Sequence, residues 1–341
     1  MGNILLIRLK SIGDILFTLP AVHRVRDNFP AASISFLVSK EHAPLLEGFR
    51  EVNKVVALDR AVYRSGNLKA ICAGTIDLVR QLRGENYSLA VDFQGYGETA
   101  LLTWLTGAPQ RWGNVYRKLR AWAYTGPVSR DDSQHPVDGN LSLLTRSGLQ
   151  STAVRNEFHL PPQHLQSVRA FFAEHGCDPA KPTLYLQPFT SSLHKNWPLD
   201  KYLSLARHWR SQGLQIIFGG SAAEREALGP ASQAGFPVSA GVPLLTTAGL
   251  MKLSTLVVGA DTGVLHLAVA MGKRIIMVMN STKPGSTHPF GHADWAVTPQ
   301  NSQSVAGINV EAVIKASAQA FAELGVSFAA SNPLPYQQKS A

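Results

Sequence analysis

Residues 3–9 read NILLIRL, residues 10–14 KSIGD, residues 15–29 ILFTLPAVHRVRDNF and residues 33–38 SISFLV. An apolar run, a turn that carries a glycine, a segment of helical length and a second apolar run follow one another in that order. This succession predicts a β-strand–α-helix–β-strand unit. Near-continuous apolar strands have to be buried on both faces, so we expect a parallel sheet covered by helices.

The same alternation continues along the chain. Apolar runs at 52–58 (VNKVVAL) and 88–93 (SLAVDF) flank a helix-like segment at 74–84 (GTIDLVRQLRG). A second alternation of strands and helices begins with TLYLQP at 183–188 and ends with RIIMVM at 274–279. The pattern predicts an α/β protein with two doubly wound, Rossmann-like domains that face each other across a cleft.

The length of 341 residues fits two α/β domains of ordinary size. The segment 158–164, FHLPPQH, carries prolines and has no periodic pattern, so we place the domain boundary there. The predicted domains are residues 1–160 and 161–326, followed by a flexible tail at 327–341. The last helical segment, at 310–325, is amphipathic, and its pattern leaves open whether it packs on the second domain or back on the first.

Composition narrows the partners and the compartment. The net charge of +9 favours an anionic partner, which leaves nucleic acid, acidic lipid headgroups and phosphorylated small molecules. Nucleic acid is the weakest of these, since the sequence has no basic tract, zinc-ligand set or RNA-binding aromatic signature. Two cysteines give no disulfide framework, and neither a signal peptide nor a membrane-spanning apolar run is visible. We therefore expect a cytoplasmic protein that can still touch a membrane surface.

The strongest chemical signal is the segment LVVGADTGVLHLAVA at 256–270. A buried strand ends near Asp261, and a helix begins at once with Thr262 and Gly263. Free backbone N–H groups and the dipole at a helix N-terminus bind phosphate groups. Four residues separate Thr262 from His266, so both can flank a diphosphate on one helix face. The alternative is that Asp261 only caps the helix and His266 is a hydrogen-bonded, semi-buried histidine.

A second loop, QPFTSSLHKNWPLDKY at 187–202, offers the hydroxyls of Thr190, Ser191 and Ser192 and the cation of Lys195. This combination suits a phosphate, although the spacing is not that of a P-loop that binds ATP. A solvated lysine beside a packed tryptophan would explain the same residues.

Two further acidic residues follow predicted strands. Glu224 lies where a strand-end loop enters a helix, and a carboxylate there can accept hydrogen bonds from ribose hydroxyls. In residues 8–20, Gly13 allows a tight turn and Asp14 opens the first helix, directed into the cleft. A positioned aspartate can remove the proton of an attacking hydroxyl group as general base. Both acids could instead only stabilise helix N-termini.

A set of basic and aromatic residues lies in loop-like parts of the first half. These residues could bind an anionic ligand or a membrane surface, and the alternative is a solvated basic face. The set comprises Arg60, Arg64, Arg111, Trp112, Arg117, Lys118, Arg120 and Trp122. No Asp-x-Asp pair suited to a divalent metal appears at these predicted strand ends. We therefore expect metal-independent chemistry without a cofactor, with the leaving diphosphate neutralised by Lys195, hydroxyls and a helix terminus.

Four separated motifs resemble glycosyltransferase family 9, which includes the heptosyltransferases of lipopolysaccharide core assembly. They are RLKSIGDILFTLP at 8–20, VDFQG at 91–95, KNWP at 195–198 and GADTGVLHLAVAMGKRIIMV at 259–278. The resemblance covers nearly the whole chain. It implies the two-domain GT-B fold, an ADP-heptose donor, inversion at the anomeric carbon and no metal.

Motif by motif, the resemblance also implies residue roles. Asp14 resembles the family's proposed base, Asp261 and His266 would lie beside the sugar and phosphate, Glu224 resembles a ribose contact and Val242 falls near the adenine. The implied diphosphate contacts are Thr190, Ser191, Lys195, Thr262 and Gly263. The implied acceptor-side residues are Asp92, Gln94, Arg60, Arg64 and Arg120.

Two segments depart from the family pattern. TSSLHK at 190–195 is less acidic than in some relatives, and KPGSTHPFGH at 283–292 replaces a Pro-Thr-Asp-Pro sequence. These departures leave open another nucleotide sugar, or another inner-core or surface-glycan acceptor. A non-catalytic nucleotide-sugar binding protein is the rival from another class, against which the set of Asp14, Lys195 and Asp261 argues. The absence of Gly-x-Gly-x-x-Gly after either first strand disfavours a nicotinamide-dependent oxidoreductase.

The expected partners follow from this reading. They are a nucleotide-diphosphate sugar, most simply ADP-heptose, and an anionic glycolipid acceptor of Kdo–lipid A type. We expect the protein to meet that acceptor at the cytoplasmic face of the inner membrane.

Overall fold

The structure is a computed structural model that describes residues 2–64, 66–300 and 304–328. The predicted tail at 327–341 lies outside the described residues from 329 onward. The first half contains a parallel sheet of the strands β1 (Asn3–Ile7), β2 (Ser33–Ser39), β3 (Lys54–Leu58), β4 (Tyr87–Asp92), β5 (Gln110–Val115) and β6 (Gly126–Ser129). Its helices are α1 (Ile12–Leu16), α2 (Leu19–Asn28), α3 (Arg60–Arg64), α4 (Leu68–Gly84), α5 (Gly97–Leu105) and α6 (Pro136–Arg146), with 3₁₀ turns at Lys40–Gly48 and Lys118–Ala123.

The second half repeats this plan. Its parallel sheet has the strands β7 (Thr183–Gln187), β8 (Gln215–Gly220), β9 (Val238–Ala240), β10 (Leu256–Ala260), β11 (Ile275–Val278) and β12 (Ala296–Val297). Its helices are α7 (His164–Glu174), α8 (Leu199–Ser211), α9 (Gly229–Gln233), α10 (Leu244–Leu253), α11 (Gly263–Ala270) and α12 (Val310–Glu323). Short 3₁₀ turns lie at Leu193–Lys195, Ala222–Glu224, Ala293–Trp295 and Val305–Gly307.

Both sheets have the strand order of a Rossmann fold. The first runs β3-β2-β1-β4-β5-β6. The second, read from its other edge, runs β9-β8-β7-β10-β11-β12, which is the same order when its strands are counted from β7. The central strand β1 pairs with β2 and β4, so that Leu6 lies between Phe36 and Val91. All three side chains are fully buried. The predicted α/β class with two doubly wound sheets is confirmed.

The first predicted helix is divided in two. α1 ends at Leu16, and α2 begins at Leu19 with Pro20 in its first turn. Proline has no N–H to donate, so a continuous helix through Pro20 would lose the hydrogen bond to the carbonyl four residues earlier. The hydroxyl of Thr18 donates to the Ile15 carbonyl at 2.6 Å and closes the break.

The chain between the two halves bonds to both of them. The Phe158 N–H donates to the Ala270 carbonyl at 2.8 Å, and the His159 N–H donates to the Gly48 carbonyl at 3.1 Å. The boundary after residue 160 falls in this segment, and the division into the two predicted domains stays a prediction. α12 packs on α8 and on strands of the second sheet, which decides the question that its periodicity left open.

The two halves approach each other most closely where α1 meets α11. A Cβ atom built on Gly263 would lie 2.7 Å from the Gly13 nitrogen and 2.9 Å from the Ile12 Cβ. Only a glycine fits this contact without displacing a neighbour. The junction holds the first turns of α1 and α11 against each other, with Asp14 and Thr262 beside it. Among the described helices, none has the length and apolar character to span a membrane.

Candidate active site

A cavity of about 820 Å³ lies between the two sheets, at the carboxyl ends of β1, β7, β8 and β10. Ligands of doubly wound folds bind at this edge because the strand-end loops meet there. The cavity is lined by every residue predicted for catalysis or donor binding, namely Gly13, Asp14, Thr190, Ser191, Lys195, Glu224, Val242, Asp261, Thr262, Gly263 and His266. The structure therefore brings these separated residues to one place.

Asp261 is the centre of a polar network on the second-half side. Its Oδ2 accepts hydrogen bonds from Lys195 Nζ at 2.7 Å and from the Thr287 hydroxyl at 2.9 Å, and its Oδ1 lies 3.2 Å from His266 Nε2. Burial raises the pKa of Asp261, but the hydrogen bonds and charges of His266 and Lys195 outweigh burial and lower that pKa to about 2. An ionised carboxylate only accepts hydrogen bonds, so Nε2 of His266 carries the hydrogen.

These contacts bear on the alternatives that the sequence left open, while the predicted diphosphate contacts stay predictions. Thr262, with an extended backbone, is the N-cap residue of α11, and Asp261 precedes it without capping the helix. Lys195 is partly exposed and forms an ion pair with Asp261. His266 is buried and bonded to that same carboxylate. Trp197 is fully buried and donates its indole N–H to the Ile308 carbonyl at 2.9 Å, which anchors the chain just after Lys195.

In the loop at 187–202, one hydroxyl residue stabilises the loop itself and two others line the cavity. The Thr190 hydroxyl donates to the Ser192 carbonyl at 2.8 Å and accepts from the Ser192 N–H at 3.0 Å, while the Thr190 N–H donates to Asn196 Oδ1 at 2.8 Å. Thr190 is thereby occupied in shaping its own loop. Ser191 and Ser192 line the cavity beside it.

Asp14 faces the cavity from the first half. Ser11 is the N-cap residue of α1, and Asp14 stands at the third helical position, where its Oδ2 accepts from the Ser11 N–H at 3.2 Å and the Ser11 hydroxyl at 3.1 Å. Its Oδ1 forms an ion pair with Arg8 at 2.7 Å. Arg8 is buried and also donates to the Phe93 carbonyl at 3.0 Å, so its position is fixed. Sequence reasoning missed Arg8, although it belongs to the same motif as Asp14.

Glu224 caps a 3₁₀ turn and also lines the cavity, and its contact with ribose stays a prediction. Its Oε2 accepts a hydrogen bond from the Ser221 N–H at 2.7 Å, which closes a capping box at the end of β8. The same residue lines the cavity together with Val242. A helix-terminal carboxylate in this position is available to hydroxyl groups of a bound ligand.

The basic residues predicted for the acceptor lie apart from this cavity. Arg60 and Arg64 line a second groove of about 520 Å³, together with Lys40, Glu41 and Asp59. Arg60 also forms an ion pair with Glu98 at 3.4 Å.

Arg120 and the VDFQG motif hold one loop. Arg120 donates to the Gly95 carbonyl at 3.0 Å. Asp92 is fully buried and accepts from the N–H groups of Gln94 and Gly95 at 2.8 and 3.0 Å and from the Tyr124 hydroxyl at 2.7 Å. Burial raises the pKa of Asp92. Gln94 is buried as well, and its Oε1 accepts from the Leu9 N–H at 2.9 Å, which joins the loops after β4 and β1. The acceptor contacts implied for Asp92 and Gln94 stay predictions.

A segment of the second half crosses to the first half and reaches the Asp261 network. This strap, residues 283–292, carries Thr287, whose hydroxyl bonds to Asp261, and His288, whose carbonyl lies 3.1 Å from His135 Nε2. His135 caps α6 by accepting from the Val137 N–H at 3.2 Å through Nδ1. Burial lowers the pKa of His135 to about 4. A neutral ring with its hydrogen on Nε2 satisfies both contacts.

Comparison with known proteins identifies the family. The model of glycosyltransferase family 9 (heptosyltransferase) matches residues 75–309. Lipopolysaccharide heptosyltransferase 1 of Pseudomonas aeruginosa is 26% identical over 304 residues, which cover 85% of this chain and 82% of the relative.

Solved structures share the fold. The family 9 glycosyltransferase of Veillonella parvula superimposes with a TM-score of 0.85 at 18% identity, covering 94% of this chain and 97% of that chain. The Escherichia coli heptosyltransferase WaaC with ADP superimposes with a TM-score of 0.76 at 20% identity, covering 93% and 99%. The two facing Rossmann-like sheets are those of the GT-B architecture. The family match extends over more than half of the chain, and the chain accordingly belongs to glycosyltransferase family 9.

Proposed function

We propose that the protein transfers a heptose from ADP-heptose to an inner-core lipopolysaccharide acceptor of Kdo–lipid A type, with inversion at the anomeric carbon and without a metal. The family match supports heptosyl transfer. The relative from Pseudomonas aeruginosa is a lipopolysaccharide heptosyltransferase, and WaaC has been solved with ADP and with ADP-2-deoxy-2-fluoro heptose. In this chain, the arrangement of carboxylates on opposite walls of one cavity carries the proposal.

The second-half wall provides the donor site. The diphosphate would lie at the first turn of α11, where the Gly263 N–H and the Thr262 hydroxyl are available. Lys195 and Ser191 would complete its neutralisation, which replaces the divalent metal that other sugar transferases use. Glu224 would accept hydrogen bonds from the ribose hydroxyls.

The first-half wall provides the base. The acceptor hydroxyl would attack the anomeric carbon from the side of Asp14, while the bond from that carbon to the diphosphate oxygen breaks on the side of Lys195. The hydroxyl proton passes to an Asp14 oxygen, and the bonding electron pair leaves with ADP. A single displacement of this kind inverts the anomeric carbon. Arg8 and Ser11 hold the Asp14 carboxylate in place during the step.

The acceptor would approach over the first half. We propose that Arg60 and Arg64, in the second groove, bind anionic groups of the acceptor that extend beyond the reacting sugar. A lipid-borne acceptor places the enzyme at the cytoplasmic face of the inner membrane. Membrane contact is therefore part of the proposal.

Calorimetric binding of ADP, UDP and GDP tests the donor, first without metal and then with Mg²⁺. We expect preferential binding of ADP that does not depend on Mg²⁺. Turnover of ADP-heptose with a Kdo–lipid A acceptor, followed by nuclear magnetic resonance of the new linkage, tests transfer and inversion. Preference for UDP or GDP would replace the donor with another nucleotide sugar of the same fold, and the lack of any nucleotide binding would refute the catalytic role.

A further inference from the structure

Four large apolar side chains of the first half are exposed next to one another. In the 3₁₀ turn at Lys118–Ala123, Leu119 is 87% and Trp122 is 56% exposed, while Leu101 and Trp104 on α5 are each 46% exposed. Residues three apart share a face both in a 3₁₀ helix and in an α-helix. The rings of Trp104 and Trp122 meet edge to face at 5.8 Å, which joins the two pairs. We call these four residues the tryptophan patch.

Positive charge borders the tryptophan patch. Arg117 and Lys118 directly precede Leu119, and both are exposed. Within the described residues, neither forms an ion pair with a carboxylate, whereas Arg60 is paired with Glu98 and Arg120 is occupied by the Gly95 carbonyl. Residues 97–123 contain four basic residues and a single acidic one, Glu98. The patch is thus apolar at its centre and cationic at its border.

The patch extends along the first half from one edge of its sheet to the other. Trp104 and Trp122 lie near the amino edge, since the Leu105 carbonyl accepts from Arg83, just before β4, and the Ala123 carbonyl accepts from Arg111 at the start of β5. The bond from Arg120 to the Gly95 carbonyl ties the 3₁₀ turn to the loop that follows β4, at the carboxyl edge of the first sheet. In the same region, the rings of Tyr96 and Tyr116 lie 5.4 Å apart, after the ends of β4 and β5. The loop carrying Asp14 follows β1 at this edge of the same sheet. A surface that covers the patch would therefore run along α5 and reach, at the Arg120 end, the edge of the sheet that carries the Asp14 loop.

We infer that the tryptophan patch, with Arg117 and Lys118, docks the protein on an anionic lipid surface. Tryptophan rings prefer the headgroup level of a bilayer, because an apolar ring and a polar N–H match its two sides. Basic side chains next to them add attraction to anionic headgroups that is screened by salt. This inference rests on the proposed function in one respect, since a lipid-borne acceptor gives the docking its purpose.

Flotation with lipid vesicles tests the inference on the whole protein. We expect the protein to float with phosphatidylcholine vesicles that contain phosphatidylglycerol, to float much less with phosphatidylcholine alone, and to be released by high salt. Arg117→Ala/Lys118→Ala should bind anionic vesicles about 30-fold more weakly, from two surface charges near the headgroups. Leu119→Glu/Trp122→Glu should bind neither kind of vesicle.

Matched variants control for charge and folding. Arg207→Ala/Lys315→Ala removes two exposed cations from the second half, and Val154→Glu/Leu324→Glu adds two carboxylates at exposed apolar positions elsewhere. Both should float like the wild type. The replaced side chains of the patch are exposed, so every variant should keep the wild-type melting temperature and ADP affinity.

Several outcomes would overturn the inference. A wild-type protein that does not float with anionic vesicles would refute it, as would patch variants that float normally. A change from dimer to monomer in sedimentation velocity, with vesicle binding unaltered, would show instead that the patch joins two copies of the chain. Vesicle binding requires no turnover, and ADP binding requires no vesicle. Failure of docking and failure of the proposed function are therefore separately visible.

Discussion

Two aspartates line the same cavity from opposite sides, and their surroundings differ. The side chain of Asp261 is 10% exposed, and its two oxygens are taken up by Lys195, His266 and Thr287. The side chain of Asp14 is 39% exposed, and its partners, Arg8 and Ser11, belong to its own strand-end loop. A carboxylate with a pKa of about 2 and three partners organises neighbours rather than taking up a proton. The comparison supports the proposal that the second half binds the donor and the first half supplies the base.

Asp14→Asn should separate the two sides most sharply. We expect turnover to fall roughly 100- to 10,000-fold, because the amide cannot accept the acceptor proton. ADP affinity should stay at the wild-type level, since the side chains proposed to bind the diphosphate and the ribose lie on the other wall. Steady-state kinetics and calorimetry on the same preparation measure both quantities. Near-normal turnover would remove Asp14 from the role of base.

Lys195→Met should affect the opposite wall. Loss of a charged donor to the diphosphate should weaken ADP binding roughly 10- to 100-fold. The matched control is Lys181→Met, an exposed lysine that precedes the amino end of β7, whereas Lys195 follows its carboxyl end. Calorimetry should show wild-type affinity for the control. Equal affinities for all three proteins would place Lys195 outside the donor site.

The two glycines between the walls should respond unequally to the same change. In Gly263→Ala, the new methyl would lie 2.7 Å from the Gly13 nitrogen, so α1 and α11 have to separate. We expect a loss of about 1–3 kcal/mol in the free energy of unfolding, with weaker ADP binding. In Gly13→Ala, the nearest atom would be the Gly263 Cα at 3.4 Å, at the edge of ordinary contact. Urea unfolding should show a much smaller loss there, and equal losses would contradict the close approach.

Strand ends could be read from the sequence, and this explains which site residues were predicted. Asp14, Lys195, Glu224 and Asp261 all follow apolar runs, and parallel strands bring such positions to one edge. Thr287 was missed because it reaches Asp261 from a long strap without any periodic pattern.

Asp92 shows what the position of a residue at a strand end does not reveal. It follows an apolar run as Asp261 does, but its Oδ1 accepts from two N–H groups of its own loop and its Oδ2 from the Tyr124 hydroxyl. A sequence does not distinguish a carboxylate that folds back from one that faces a cavity. The division of the first predicted helix at Thr18 has a different origin, because Pro20 was visible but the backbone path around it was not.

The smallest expected effect concerns the contact between His135 and the His288 carbonyl, which joins the first half to the strap. The pH dependence of the free energy of unfolding tests it. The His135 pKa of about 4 in the folded protein lies below the ordinary histidine value of 6.5, so the unfolded chain binds a proton first as the pH falls. The free energy of unfolding should therefore decrease as the pH falls through this range. For this one group, the loss between about pH 7 and about pH 5.5 is about 1 kcal/mol. Glutamine can donate to the His288 carbonyl and accept from the Val137 N–H without titrating. His135→Gln should thus reduce the pH dependence of the free energy of unfolding, whereas His175→Gln, at an exposed position, controls for the loss of an imidazole. If both variants kept the wild-type slope, His135 would not be the buried neutral ring that holds the strap to α6.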